Sequence, residues 1–190
     1  MRDYVDSDME TARFVAVLLM VLQWTRLGLP SPLRPICDPR VLDRFIKEAR
    51  DTEFAMRSCS EGCSLAEPLS VPLTSVDFAI WEKGDPQKQA QEVQSGLWLL
   101  AQAISAVRVS ITSTALHSLL DNSHSNIHSI GQVIRSLNFP EYTPPADGTV
   151  HEDTWRVSST LELFRVHTNF LRGKVRLLLS HAPACRRDST

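Results

Sequence analysis

The chain has 190 residues, a formal net charge of −2 and 43% apolar residues, which fits one domain with a single well-filled core. Nearly balanced charge excludes a whole-chain basic field of the kind that draws nucleic acid. Beyond the N-terminal leader no apolar run is long enough to cross a bilayer, so no membrane insertion is expected.

Residues 14–22 form an uninterrupted apolar run, too short to span a membrane and of the length of a signal-peptide core. Small residues follow in Leu27-Gly28-Leu29-Pro30-Ser31 and place cleavage at about residues 28–33. Residues 1–30 therefore read as a signal peptide and residues 31–190 as a secreted, extracellular domain. Asp3, Asp6 and Asp8 make the first eight residues acidic, so Met9 is the better start for such a signal.

The first helix opens at Asp38-Pro39. Aspartate is a good N-cap and proline suits the first helical turn. Val41, Leu42, Phe45, Ile46 and Ala49 share a face, Arg40, Arg44 and Lys47 lie on another, and the helix runs to about Met56. From residue 57 to 84 the pattern breaks into a long connection containing Pro68 and Pro72, with a partly alternating, extended stretch over residues 71–81. Asp85-Pro86 repeats the cap signal, and Val93, Leu97, Leu100, Ala101 and Ile104 carry a second helix to near Val109. After a short Ser/Thr link, a third helix spans about residues 115–137 with Leu116, Leu119, Leu120, Ile127, Ile130 and Ile134, weakened at Gly131. Pro140, Pro144, Pro145 and Gly148 mark a second long loop. The fourth helix is expected from about Glu152 to Leu179. Glu152 and Asp153 sit in its first turn, and Leu161, Phe164, Thr168, Leu171, Val175 and Leu178 form its apolar stripe.

Loop lengths constrain the topology. The short link forces helices two and three antiparallel, while each long connection can travel the length of a bundle. The fold class is thus all-α: a long-chain, up-up-down-down four-helix bundle with two long crossover loops.

Cysteines 37, 59, 63 and 185 should pair in an oxidising compartment. Four cysteines allow three connectivities, and sequence alone does not choose. Cys59 and Cys63 are close enough to close a small loop, with Gly62 easing the turn; their spacing is loose for zinc and no second pair stands nearby. His124 and His128 are spaced i, i+4 with Asp121 near them, a weak metal pattern that reads better as a solvated polar face. There is no Gly-x-Ser-x-Gly, paired-carboxylate or phosphate-loop motif. Neither an enzyme nor a cofactor is expected, and a hollow lipid carrier does not suit bulky Leu, Ile and Phe faces.

Several blocks carry a resemblance, in order, from about Pro35 to Arg186. They are Pro35-Ile36-Cys37-Asp38-Pro39-Arg40-Val41-Leu42-Asp43-Arg44-Phe45, Cys59-Ser60-Glu61-Gly62-Cys63-Ser64, Val71-Pro72 with Val76-Asp77-Phe78 and Trp81, Phe164-Arg165-Val166, Asn169-Phe170-Leu171-Arg172-Gly173-Lys174, and Ala184-Cys185-Arg186. Together they resemble the erythropoietin/thrombopoietin family of helical cytokines. The resemblance implies disulfides Cys37–Cys185 and Cys59–Cys63, and a chain that is monomeric when free and binds two copies of a single-pass cytokine receptor. It implies a higher-affinity face of Thr74, Val76, Phe78, Arg165, Asn169, Arg172, Gly173, Lys174 and Leu177. The lower-affinity face it implies comprises Val41, Arg44, Phe45, Arg135, Ser136 and Leu137. The sequence departs from the family pattern at Phe45, Ser75 and Glu82, and it has no Asn-x-Ser/Thr glycosylation site. The residues alone support the first face, because Arg165, Asn169, Arg172 and Arg176 step by four, three and four along one side of a helix. Gly173 inside that helix costs about 1 kcal/mol against alanine, a cost explained if another backbone must approach. The nearest alternative is a different helical cytokine.

Overall fold

The computed structural model describes residues 38–59, 61–144, 154–182 and 185, all within the unit Pro35–Thr190. The expected signal peptide, Cys37, and Glu152 and Asp153 lie outside the described residues.

Helix α1, Pro39–Arg57, starts where the cap signal puts it: the Asp38 side chain accepts a hydrogen bond from the Arg40 amide at 2.9 Å. It buries Leu42, Ile46, Ala49 and Met56 at steps of three, four and seven. The first crossover holds a strand, β1 at Ser64–Pro72, and a short helix, α2 at Phe78–Lys83. The extended segment therefore overlaps the expected residues 71–81 only at Val71 and Pro72, and Trp81 is helical. Asp77 decides this, because its carboxylate accepts from the Ala79 and Ile80 amides and starts a helix where alternation suggested a strand. Helix α3, Pro86–Ser110, is capped by Asp85. Helix α4, Thr114–Ser136, ends at Leu137 and Asn138, where Asn138 takes a positive φ of 62°, a left-handed stop that asparagine tolerates.

The last helix corrects a second expectation. It begins at Thr160, not near Glu152, and Thr154–Ser159 is a strand, β2. β2 pairs antiparallel with β1, setting Leu69 opposite Val157 and Val71 opposite Trp155. The helix start is a capping box. Ser159 accepts from the Glu162 amide at 3.2 Å, and the Glu162 carboxylate reaches back to the Ser158 amide at 3.3 Å. The helix then runs as α5, Thr160–Phe170, one π-helical turn at Leu171–Val175, and α6, Arg176–His181.

Contacts between helices fix their directions. Glu48 meets Asn126 and Thr52 meets Ser123, so α1 and α4 are antiparallel. Glu53 meets Arg165 and Asp43 meets Arg176, so α1 and the last helix are antiparallel too. Glu92 meets Lys174 and Gly96 meets Phe170, so α3 and the last helix are antiparallel as well. With α3 and α4 joined by a tight link, the order is up, up, down, down. The core includes Leu100, Ile104, Leu120, Ile134, Phe164 and Phe170, all fully buried, with Val71 and Val157 of the small sheet packed into it. Gly96 makes room for the Phe170 ring, since an added Cβ there would sit 2.7 Å from Cε2.

Candidate functional site

The last helix faces three neighbours at once, and the π turn sorts its side chains among them. A π turn adds a residue to one helical turn and recurs at functional positions. Here it spans Leu171, Arg172, Gly173, Lys174 and Val175. Leu171 and Val175 point into the core and Arg172 points to solvent. Gly173 meets the first crossover: a Cβ placed on it would lie 3.7 Å from the Thr74 carbonyl oxygen. The approaching backbone is thus the chain's own, at ordinary van der Waals distance, so space alone does not demand glycine. Lys174 turns inward, where it is 5% exposed and its Nζ lies 2.5 Å from Glu92 Oε1 on α3. It braces two helices and does not belong to the exposed face.

Of the remaining higher-affinity residues, Arg165, Asn169 and Arg172 share one pocket and Thr74 meets Gly173. Arg165, Asn169 and Arg172 are exposed on the side of the last helix toward α1. Thr74 abuts Gly173, Val76 is packed against the core, and Phe78 projects from the start of α2 with 64% of its surface exposed. Leu177 is half-buried and lines a cavity with Asp38, Pro39, Leu42 and Cys185. Arg176, the fourth member of the basic face, is tied to Asp43 of α1.

Sequence reasoning missed the α1 side of this surface. Arg50, Glu53, Phe54 and Arg57 line one pocket with Arg165, Thr168, Asn169 and Arg172. Glu53 Oε1 lies 3.7 Å from both Arg57 Nη2 and Arg165 Nε. The available signal was the spacing of Arg50, Phe54 and Arg57 by four and three, along one edge of the buried face of α1.

The lower-affinity residues lie on α1 and α4. The antiparallel pairs Glu48–Asn126 and Thr52–Ser123, continued by the helical rise, bring the first turns of α1 beside the last turns of α4. Val41 and Phe45 are half-buried and Arg44 is exposed, its Nε 2.8 Å from Glu48 Oε1. Hydrogen bonds from Arg44 and then Asn126 hold the Glu48 carboxyl below its ordinary range. Arg135 is exposed and pairs with Glu141 at 3.2 Å. Ser136 donates to the Val133 carbonyl at 2.6 Å, and Leu137 is buried. On the same helix, Asp121 pairs with Arg108. Among the described residues no three His, Cys, Asp or Glu side chains are grouped to hold a metal.

Cys59 and Cys63 are joined in a disulfide with Cα atoms 6.2 Å apart. Gly62 supplies the turn at φ 70°, a left-handed conformation that glycine adopts freely. The Cys37–Cys185 expectation falls on Cys37, outside the described residues.

A family model and three relatives bear on identity. The family model described as erythropoietin/thrombopoietin matches residues 34–188. The chain is 64% identical over 174 residues to erythropoietin of Epinephelus coioides, covering 92% of this chain and 94% of the relative. It is 58% identical over 171 residues to erythropoietin of Danio rerio, covering 90% and 93%. With erythropoietin of Bos mutus grunniens the identity is 38% over 185 residues, covering 91% and 93%. A four-helix bundle with this topology, this small disulfide loop and this match across most of its length belongs to the erythropoietin/thrombopoietin family of cytokine hormones, not to an enzyme family.

Proposed function

We propose that the chain is a secreted hormone that bridges two copies of a single-pass cytokine receptor, the erythropoietin receptor. Bringing two receptors together activates their associated kinases and promotes survival, proliferation and differentiation of red-cell precursors. The observation that carries the reading is the junction at Gly173. There the Thr74 carbonyl of the first crossover meets the last helix, on which Arg165, Asn169 and Arg172 are exposed. Exposed arginines on a helix that abuts this crossover have the character of an interface hot spot. Lys174 serves that face from behind, by holding the π turn against α3.

The second face uses Val41, Arg44, Phe45, Arg135 and Ser136, with Leu137 anchoring the helix end beneath them. A single chain has no two-fold axis to repeat a patch, so the two faces differ chemically. The second docking takes place on a membrane, where effective concentration is high and a weaker face suffices. An erythropoietin-type receptor is favoured over a thrombopoietin-type one by residues 169–174 and by the Cys59–Cys63 loop. We also propose the Cys37–Cys185 bridge: Cys185 is disulfide-bonded and lines a cavity with Asp38 and Pro39, next in sequence to Cys37.

Binding of the receptor ectodomain to Asn169→Ala, Arg172→Ala tests the first face. The double variant should keep its helix content and lose more than about 2 kcal/mol of affinity. Near-normal affinity in the folded variant defeats the assignment.

A further inference from the structure

We infer that the higher-affinity face continues onto α1, where Phe54 and Arg57 form a seat for an acidic receptor loop that carries an apolar residue. The inference rests on the proposed receptor reading and extends it to residues outside the family pattern.

The pocket between α1 and the last helix sets four arginines, Arg50, Arg57, Arg165 and Arg172, against one carboxylate, Glu53. In a chain whose formal net charge is −2, this is a local excess of positive charge that must attract anions. Glu53 is shared at 3.7 Å between Arg57 and Arg165, which leaves much of both guanidinium groups free, and both remain more than half exposed. Phe54 stands among these cations with 66% of its surface in water. It lies between Arg50 and Arg57 on the side of α1 away from the buried Thr52 and Met56. Arg57 alone has a simpler explanation, as a cation in the last turn favoured by the helix dipole. That explanation does not reach an exposed phenyl ring one turn earlier.

Two features favour a protein loop over a sulfated polysaccharide or an anionic lipid surface. A polyanion track needs cations and gains nothing from a phenyl ring at its centre. The inward-facing Glu53 would also repel a uniform run of sulfates, whereas it orients Arg57 and Arg165 for individual carboxylates. The pocket shares Asn169 and Arg172 with the proposed face, so an occupant of one reaches the other without a gap.

Phe54→Ala and Arg57→Glu change exposed side chains, so circular dichroism should match the parent protein, with Arg57→Glu melting a few degrees lower because it loses its Glu53 pair and sets an anion at the helix C-terminus. Binding of the receptor ectodomain at one-to-one stoichiometry is then measured by surface kinetics at low and high salt. Phe54→Ala should dissociate about tenfold faster, as loss of an aromatic anchor does. Arg57→Glu should associate about tenfold more slowly at low salt, with the deficit shrinking at high salt. If both bind like the parent while Asn169→Ala, Arg172→Ala is weakened, the extension is wrong and the receptor reading stands. If all three bind like the parent, both readings fail. If Arg57→Glu binds receptor normally but loses retention on immobilised heparin, the seat is for a polyanion and the inference is overturned.

Discussion

His167 offers a quantitative test of the core. It lies on α5 with 1% of its surface exposed, and neither ring nitrogen has a hydrogen-bond partner among the described residues. Its nearest ring neighbour is Phe164, edge-on at 6.2 Å between centroids. An imidazolium there would sit in apolar surroundings, so burial lowers the pKa from 6.5 to about 4. The unfolded chain then binds a proton that the folded chain refuses in the window between those values. Stability is full above the unfolded pKa, falls as pH drops through it, and levels off below the folded one. With those two pKa values the loss from pH 7.5 is about 2 kcal/mol at pH 5 and about 3 kcal/mol at pH 4. For a chain of this size the pH 5 loss lowers the melting temperature by roughly 4–8 °C. His167→Leu has nearly the same volume and nothing to titrate. Urea denaturation followed by circular dichroism at pH 7.5 and pH 5 should give a curve for His167→Leu flatter by about 2 kcal/mol. This window lies above the carboxylates, so they contribute little to it. Equal pH dependence in the two proteins would refute both the burial and its energetic consequence.

Three further outcomes follow from the packing and the faces. Gly96→Ala should destabilise by about 1–3 kcal/mol, because the added methyl meets the buried Phe170 ring and forces it to shift; chemical denaturation reads this directly. Glu92→Gln should cost more stability than Lys174→Met, about 2 against under about 1 kcal/mol. The first strands a buried ammonium, while the second leaves a carboxylate that water already reaches. Melting curves of the two variants rank them, and the reverse order contradicts the inward placement of Lys174. Arg135→Ala should fold, bind one receptor nearly normally and fail to recruit the second; full signalling at ordinary dose in receptor-bearing cells removes Arg135 from the second face.

Much of the bundle was legible because its start signals are local. Asp38-Pro39 and Asp85-Pro86 each combine a cap with a residue preset for the first turn, and both helices begin there. The last helix was misread for the same kind of reason: an acidic pair at 152–153 drew attention from the capping box at Ser159 and Glu162. The small sheet was not legible because its pairing joins two crossovers far apart in sequence, and Val157 finds its partner only in the folded chain. The apolar stripe of the last helix named six residues, yet Leu163, Val166, His167 and Phe170 are buried as well. A helix packed against α1, α3 and the sheet hides more of its circumference than one stripe. Lys174 followed two exposed-looking neighbours in sequence, and only the packed π turn sends it inward. The pocket around Phe54 and Arg57 arises from two helices meeting, and the spacing on α1 alone did not distinguish it from a solvated face.

The central claim is that one chain presents two different faces to two identical receptors. Sedimentation velocity of the chain with excess receptor ectodomain tests it most directly. The parent protein should hold two receptors per hormone and Arg135→Ala one, with little or no complex at the same concentrations for Asn169→Ala, Arg172→Ala. A parent complex that never exceeds one receptor per chain, or an Arg135→Ala complex that still holds two, contradicts it.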